Sequence, residues 1–81
     1  MDEQAPSQAR QTFAKNVRLL RRIKEISQEA LALDAGLNRT YLSDVERGAR
    51  NISIDNMALL ASSLGVPLKE LLDPDRFKDL G

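Results

Sequence analysis

The sequence predicts an all-α fold made of five short helices. Three observations support this prediction. Apolar residues recur at helical spacing along most of the chain. Several of these stretches begin after a Ser or Asn and end at a Gly or before a Pro, as helices commonly do. No stretch shows the strict alternation of apolar and polar residues that is typical of a half-buried strand.

The first helix is expected to run from about Ala9 to Lys24. Its apolar stripe, which would face the core, consists of Phe13, Val17, Leu20 and Ile23. Residues 1–8 precede this helix, contain Pro6 and lack apolar periodicity. We therefore expect residues 1–8 to form a flexible arm.

The second and third helices lie between Ser27 and Gly48 and are separated by a glycine turn. Ser27 can cap the first of them, and Gly36 can end it because a residue without Cβ adopts the left-handed conformation cheaply. Asn38 can cap the next helix, in which Leu42 and Val45 would face inward. Two short helices with such a turn, the second having a polar outer face, are typical of a helix-turn-helix.

The fourth helix is expected from Ile54 to Leu64 and the fifth from Pro67 to Leu72. Ile52 and Ile54 are expected to be buried anchors, and either Ser53 or Asp55 can cap the fourth helix. The fifth helix and the following residues carry more apolar surface than so small a terminal element needs. We expect a homodimer interface there, formed by Leu68, Leu71, Leu72 and Phe77, with Leu80 as a further candidate. The alternative for these residues is the core of the subunit, which is expected to take at least one of them. The predicted organisation is one domain, residues 9–73, followed by a tail, residues 74–81, that aids dimerisation.

Composition excludes several classes of function. The chain has 81 residues, which is enough for one small domain, and it contains neither His nor Cys. Zinc sites of the Cys/His type and His- or thiol-based catalysis are therefore excluded, and no glycine-rich phosphate-loop motif is present. We expect no enzymatic activity, no cofactor and no metal. The polar N-terminus and the lack of a long apolar run predict a cytoplasmic protein that makes no membrane contact.

Charge is unevenly distributed along the chain. Lys and Arg number 12, as do Asp and Glu, so the formal net charge is zero. Residues 10–24 nevertheless carry six cations and no anion, and both flanks of the segment 10–50 are net acidic. A basic block within a neutral chain indicates one face that meets phosphate, although solubilising charges on a helix surface would have the same composition.

Several short sequence motifs resemble those of the lambda Cro/repressor-type DNA-binding domain of the Xre family. The resemblance rests on SQE at 27–29, LA at 31–32, AGL at 35–37, VERG at 45–48 and SLGV at 63–66, and it covers about residues 12–72. Within that family, residues 38–53 are especially similar to the controller proteins of restriction–modification systems.

The resemblance implies a role for residues on the outer face of the third helix, which would enter the DNA major groove. The base-contacting candidates are Arg39, Thr40, Ser43 and Asp44. Arg39 can form a bidentate contact with the O6 and N7 atoms of guanine. Asp44 can accept a hydrogen bond from the N4 amino group of cytosine, or it can instead orient Arg39 or Arg47.

The resemblance also implies contacts with the DNA backbone. The candidates are Ser27, Gln28, Asn38, Tyr41, Arg47, Arg50 and Asn51. Gln28 would hold a phosphate at the N-terminus of the second helix, where free amides and the helix dipole favour an anion. For Tyr41 the alternative is a half-buried ring packed on the second helix.

Two further residues match a family salt bridge between the first and third helices, namely Arg21 and Glu46. One position departs from the family pattern. The family often has glycine two residues before the Ser of the second helix, where this chain has Glu25. The turn after the first helix is therefore expected to differ.

Together these features predict a homodimeric, sequence-specific transcriptional regulator that binds an inverted repeat in double-stranded DNA. The resemblance implies a restriction–modification controller, and regulation of transcription adds RNA polymerase as a partner. The alternative is a protein-interaction module such as an antitoxin. Such a module would carry a long extension for its partner, and its third helix would not need a polar tip; the polar tip of this helix favours DNA.

Overall fold

The computed structural model of the chain describes residues 7–80 and confirms the all-α prediction. Its helices are α1 (Gln8–Ile23), α2 (Gln28–Ala35), α3 (Arg39–Glu46), α4 (Ile54–Leu64) and α5 (Leu68–Leu71). The predicted boundaries agree with these to within one residue. Residues 1–6 of the predicted arm lie outside the described residues, whereas Gln8 already belongs to α1. No helix in the range 7–80 is long and apolar enough to cross a membrane.

Local side-chain chemistry sets most of the helix ends. At the start of α1, α2, α3 and α4, a side-chain oxygen of the capping residue accepts a hydrogen bond from a first-turn amide. The capping residues are Ser7, Ser27, Asn38 and Ser53. Gly36 and Gly65 end α2 and α4 in the left-handed conformation, each with a φ of 74°. These caps fix the relative directions of the helices that carry the outer polar face.

The turn between α1 and α2 has the backbone conformation that a glycine would favour, although Glu25 occupies it. The φ of Glu25 is 57°, in the left-handed region. The amide of Glu25 donates to the carbonyl of Arg22, and the amide of Ile26 donates to the carbonyl of Arg21, each at 3.0 Å. The sequence predicts that this turn differs from a glycine turn. For the φ of Glu25 that prediction is wrong, because this angle is left-handed, as it would be for glycine.

The core lies between α1, α2 and α4, and α3 and α5 pack against it. Its fully buried side chains include Phe13, Val17, Leu31, Leu42, Val45, Leu60, Leu64 and Leu71. Two residues that were expected in the core are not there, because Ile23 is 43% exposed and Ile54 is 67% exposed. Both lie at helix ends, Ile23 as the last residue of α1 and Ile54 as the first residue of α4.

The structure corrects the predicted dimer interface. Leu71 is fully buried and Phe77 is 3% exposed, and both belong to the core of the subunit. The alternative, that the core of the subunit takes at least one of these residues, therefore holds for both. Leu68 is half-buried, and Leu72 and Leu80 are exposed, so these three remain candidates. Because Phe77 packs in the core, the packed domain also extends beyond the predicted limit at residue 73.

One buried polar side chain joins the two ends of the described chain. Asn16, in the middle of α1, donates through Nδ2 to the carbonyl oxygens of Leu71 at 3.0 Å and Asp73 at 2.9 Å. These carbonyls lie at the end of α5, where helix carbonyls have no intrahelical partner. Asn16 therefore takes the place of a C-terminal cap and holds the tail against α1.

Candidate nucleic-acid interface

Helix α3 presents a polar outer face. Arg39 and Thr40 are exposed, Ser43 and Asp44 are half-buried, and Leu42 on the opposite side is fully buried. The side chain of Asn38 accepts a hydrogen bond from the amide of Tyr41 at 3.2 Å, which fixes the start of the helix. The orientation predicted for the four base-contacting candidates is therefore the one observed, with their polar atoms directed away from the core.

The buried carboxylate of Glu46 holds the end of α3 in place. Arg21 forms a bidentate pair with it, with Nε at 2.7 Å from Oε2 and Nη2 at 2.9 Å from Oε1. The side chain of Glu46 is 2% exposed and that of Arg21 is 12% exposed. The Arg21–Glu46 salt bridge predicted from the sequence is thus present in the structure.

Helix α2 and a second residue of α1 also bind Glu46. Gln28, at the start of α2, donates through Nε2 to Oε1 of Glu46 at 3.0 Å. Arg18 of α1 donates to the main-chain carbonyl of Glu46 at 3.3 Å, and Arg21 donates to the carbonyl of Ile26 at 2.8 Å. Helix α3 is therefore tied to α1 and α2 through its last residue, Glu46, which fixes the position of its end.

The N-terminus of α2 and the outer face of α3 form one cleft. It has a volume of about 400 Å³ and is lined by Gln28, Arg39, Thr40, Ser43, Asp44 and Arg47. The first amides of α2 have no acceptor within the helix. The amide of Ala30 donates to the hydroxyl of Ser27 at 3.0 Å, which leaves the amides of Gln28 and Glu29 for an anion at the helix end. The Gln28 side chain orients α3 through its hydrogen bond to Glu46. The sequence predicted a phosphate contact for Gln28 and not this second role. The structure brings the predicted phosphate-binding helix end next to the predicted base-reading residues.

The loop after α3 carries a second group of polar contacts. Arg50 lies over the ring of Tyr41, with 4.8 Å between the guanidinium carbon and the ring centroid. The Tyr41 hydroxyl accepts a hydrogen bond from Nδ2 of Asn56 at 3.1 Å. Tyr41 is half-buried and packs against the core, so its ring supports the position of Arg50. Asn51 follows Arg50 and is exposed.

Asp44 links this loop to α3. One of its carboxylate oxygens pairs with Nη2 of Arg47 and the other lies 3.3 Å from Nη2 of Arg50. Arg47 also donates to the hydroxyl of Ser43 at 3.3 Å. The sequence named Arg39 and Arg47 as alternative partners of Asp44, and Asp44 pairs with Arg47. The other cation that Asp44 contacts is Arg50 and not Arg39.

Three contributors were missed by the analysis of the sequence. Asn56 positions Tyr41, Arg18 holds the end of α3, and Asn16 fixes the tail. Each acts through a partner at least 15 positions away in the chain, and no local pattern identifies such a partner. Only for Asn16 does the sequence indicate a special role, because Asn16 is a polar residue within the apolar stripe of α1.

The arrangement suits a polyanion with a repeating backbone. Cations lie at both ends of α3 and in the following loop, and uncharged donors and acceptors lie between them. An Arg can read a guanine edge and a Thr can contact a thymine methyl group in the major groove, while flanking cations contact phosphates. The exposed face of α3 is thus equipped both to position a duplex and to read its sequence.

Comparison with known proteins agrees with this interpretation. Residues 17–71 match a protein-family model described as helix-turn-helix. The control protein C.BamHI of Bacillus amyloliquefaciens is 50% identical over 62 residues, which cover 75% of this chain and 76% of that protein. The crystal structure of the restriction–modification controller C.AhdI from Aeromonas hydrophila has a TM-score of 0.74 at 44% identity, over 76% of this chain and 94% of that one.

A third relative was solved on DNA. The structure of the restriction–modification controller C.Esp1396I is a tetramer in complex with its natural 35 base-pair operator. It has a TM-score of 0.75 at 32% identity and covers 82% of this chain and 91% of that one. By its sequence and its fold, the chain belongs to the Xre-type helix-turn-helix family.

Proposed function

We propose that this protein is a sequence-specific transcriptional regulator that binds an inverted-repeat operator as a homodimer. Each subunit places α3 in the major groove, and the two half-sites lie about one helical turn apart, roughly 34–36 Å. The observation that carries this proposal is the exposed polar face of a helix whose far end is locked by Glu46. A rigid helix with a readable face is what direct recognition of base pairs requires.

Base recognition is assigned to the first two turns of α3. Arg39 is exposed at the start of the helix and has five donors in a planar fork, which suits the O6 and N7 atoms of guanine. Thr40 offers a methyl group to thymine or a hydroxyl group to a base. Ser43 lies one turn further along and offers a single hydroxyl group. These contacts would supply the preference for one sequence over another.

Phosphate contacts are assigned to both ends of α3. At its start is the capping residue Asn38. At its end, where Gln28 contacts Glu46, are the amides and side chains of Ser27 and Gln28, followed by Arg47, Arg50 and Asn51, with Tyr41 supporting Arg50. Contacts at both ends of α3 would fix the register of the helix on the duplex.

The dimer interface is proposed to lie on the exposed side of α4 and the adjoining residues of α5. That side of α4 carries Ile54 and Leu59, which are 67% and 44% exposed, together with the exposed small residues Ala58 and Ser62. Leu72, next to α5, is also exposed. A subunit this small would gain both affinity and two-fold symmetry from pairing through this surface.

The similarity to C.BamHI and C.AhdI supports a role in controlling a restriction–modification system. The proposal includes a cytoplasmic location, where the operator is accessible, and contact with RNA polymerase during regulation. It assigns no catalytic role, because the polar groups of the interface suit binding and not bond cleavage.

Selection of bound duplexes from a random pool, repeated at two salt concentrations, tests the proposal. We expect recovery of an inverted repeat with half-sites about ten base pairs apart. Recovery of salt-sensitive binding without sequence preference would contradict sequence-specific recognition and would favour a protein-interaction module. Sedimentation of the free protein tests the dimer, and a monomer at micromolar concentration would contradict the α4 interface.

A further inference from the structure

We propose that Asp44 is a specificity-determining residue that keeps Arg47 and Arg50 paired with its carboxylate and away from DNA. The correct base pair takes their place at the carboxylate and releases both cations. This inference rests on the proposed function and concerns how the same face distinguishes its operator from other DNA. Phosphate contacts by cations are independent of sequence, so a protein with freely available cations binds any duplex. A carboxylate that competes for those cations reduces this background.

The geometry places Asp44 between the two cations. Its two carboxylate oxygens are divided between Arg47, one turn further along α3, and Arg50, in the following loop. Of the six residues that line the cleft, Asp44 is the acidic one, and the Asp44 side chain is 25% exposed. The carboxylate is therefore placed at the surface that faces DNA, where it repels phosphate and holds two groups that attract it.

The energetics favour a functional role for this arrangement over a structural one. Exposed ion pairs contribute little to folding stability, and Arg47 and Arg50 are both substantially exposed. The fold is held elsewhere, by the core and by the buried Arg21–Glu46 pair. Loss of the Asp44 carboxylate should thus leave folding intact and change only the interaction with DNA.

The correct base pair would release the cations. A cytosine presents its N4 amino group as a donor in the major groove, and a carboxylate is the side-chain group that accepts from it. When Asp44 accepts that hydrogen bond, Arg47 and Arg50 become available to neighbouring phosphates. On other sequences the carboxylate has no donor from the base, and the cations remain paired with it.

The substitution Asp44→Asn tests this inference, because it preserves size and removes the charge. Its binding to the selected operator and to a scrambled duplex of the same length is measured by fluorescence anisotropy across a salt series. We expect the variant to bind the scrambled duplex more tightly. For that duplex, the slope of log K against the logarithm of the salt concentration should become steeper by about one to two. The ratio of operator to scrambled affinity should fall by about tenfold.

Two matched variants separate the carboxylate from general charge effects. Asp44→Glu keeps the carboxylate and should keep weak binding to the scrambled duplex. Asp75→Asn removes one negative charge from an exposed position in the C-terminal tail. It should leave both affinities close to those of the wild-type protein. A gain for Asp75→Asn equal to that for Asp44→Asn would overturn the inference, because net charge alone would then explain the effect.

A background without the two cations tests the mechanism. In a protein that carries Arg47→Ala and Arg50→Ala, adding Asp44→Asn should raise the affinity for the scrambled duplex much less than in the wild-type background, because it removes only the direct repulsion of phosphate. A gain of the original size in that background would overturn the role of the cations and leave direct repulsion of phosphate by Asp44. If the wild-type protein prefers no sequence, the proposed function itself fails. If the wild-type protein discriminates and Asp44→Asn discriminates equally well, only this inference fails.

Discussion

Replacing Glu25 with glycine should stabilise the protein. Glu25 has a φ of 57°, and for a residue with a side chain the left-handed conformation costs about 1–2 kcal/mol. Glycine avoids this cost but loses more backbone entropy on folding, which offsets about 0.5–1 kcal/mol of the gain. The expected net increase in the free energy of unfolding is therefore about 0.5–1 kcal/mol.

Urea unfolding followed by circular dichroism measures this difference. Both proteins must be at the same concentration, because dimerisation would make the apparent stability depend on it. The midpoint should rise with an unchanged m-value, since the substitution alters neither the core nor the area exposed on unfolding. In thermal unfolding, an increase of about 1 kcal/mol corresponds to a rise of about 4–8 °C for a domain of this size.

Two control variants isolate the backbone effect. Glu25→Ala removes the carboxylate but keeps Cβ, so it should not reproduce the gain. Gly36→Ala is the reciprocal change at a φ of 74°, and an added Cβ there would meet no atom within 4 Å. It should destabilise the protein by about 1 kcal/mol through backbone strain alone. If Glu25→Gly is neutral or destabilising while Gly36→Ala is costly, the assignment of strain to Glu25 is refuted.

Three further predictions concern buried polar contacts and DNA binding. Glu46→Ala should lower the free energy of unfolding by about 3–5 kcal/mol in urea titration, because it strands the buried Arg21 charge. Asn16→Ala should cost about 1–3 kcal/mol in the same assay, because a buried carbonyl loses its donor. Arg39→Ala should weaken operator binding by about 1–3 kcal/mol and relax preference at one base position, whereas Arg50→Ala should weaken operator binding and leave the base preference at that position unchanged in parallel anisotropy titrations.

The elements predicted well from the sequence are those set by local chemistry. Ser27, Gly36 and Asn38 each act within one turn of the chain, through a cap or a left-handed φ. The bounds of α2 and α3 and the polar face of α3 followed from them. The Arg21–Glu46 pair was predicted through family resemblance, because its partners are 25 positions apart and no local spacing connects them.

The failures share a physical cause. Leu71 and Phe77 are large apolar residues, which suit a subunit interface as well as a core. Only the tertiary packing determines that both are buried in the core. Ile54 begins a helix, and its exposure depends on how α4 is rotated against α2. The contact between Asn56 and Tyr41 joins two segments whose approach is set by the loop between α3 and α4. Such outcomes depend on the arrangement of whole helices and not on the residues nearby in the chain.

The attachment of α3 through Glu46 has a consequence for operator architecture. Since Arg21 and Gln28 both hold that carboxylate, a pivot of α3 within its subunit to follow a displaced half-site would break both contacts. One inserted base pair moves a half-site by about 3.4 Å and rotates it by about 35° around the duplex axis. A dimer of such subunits is therefore expected to be as sensitive to the separation of the two half-sites as to their base sequence. Spacer length should be as discriminating as any single position in the half-site.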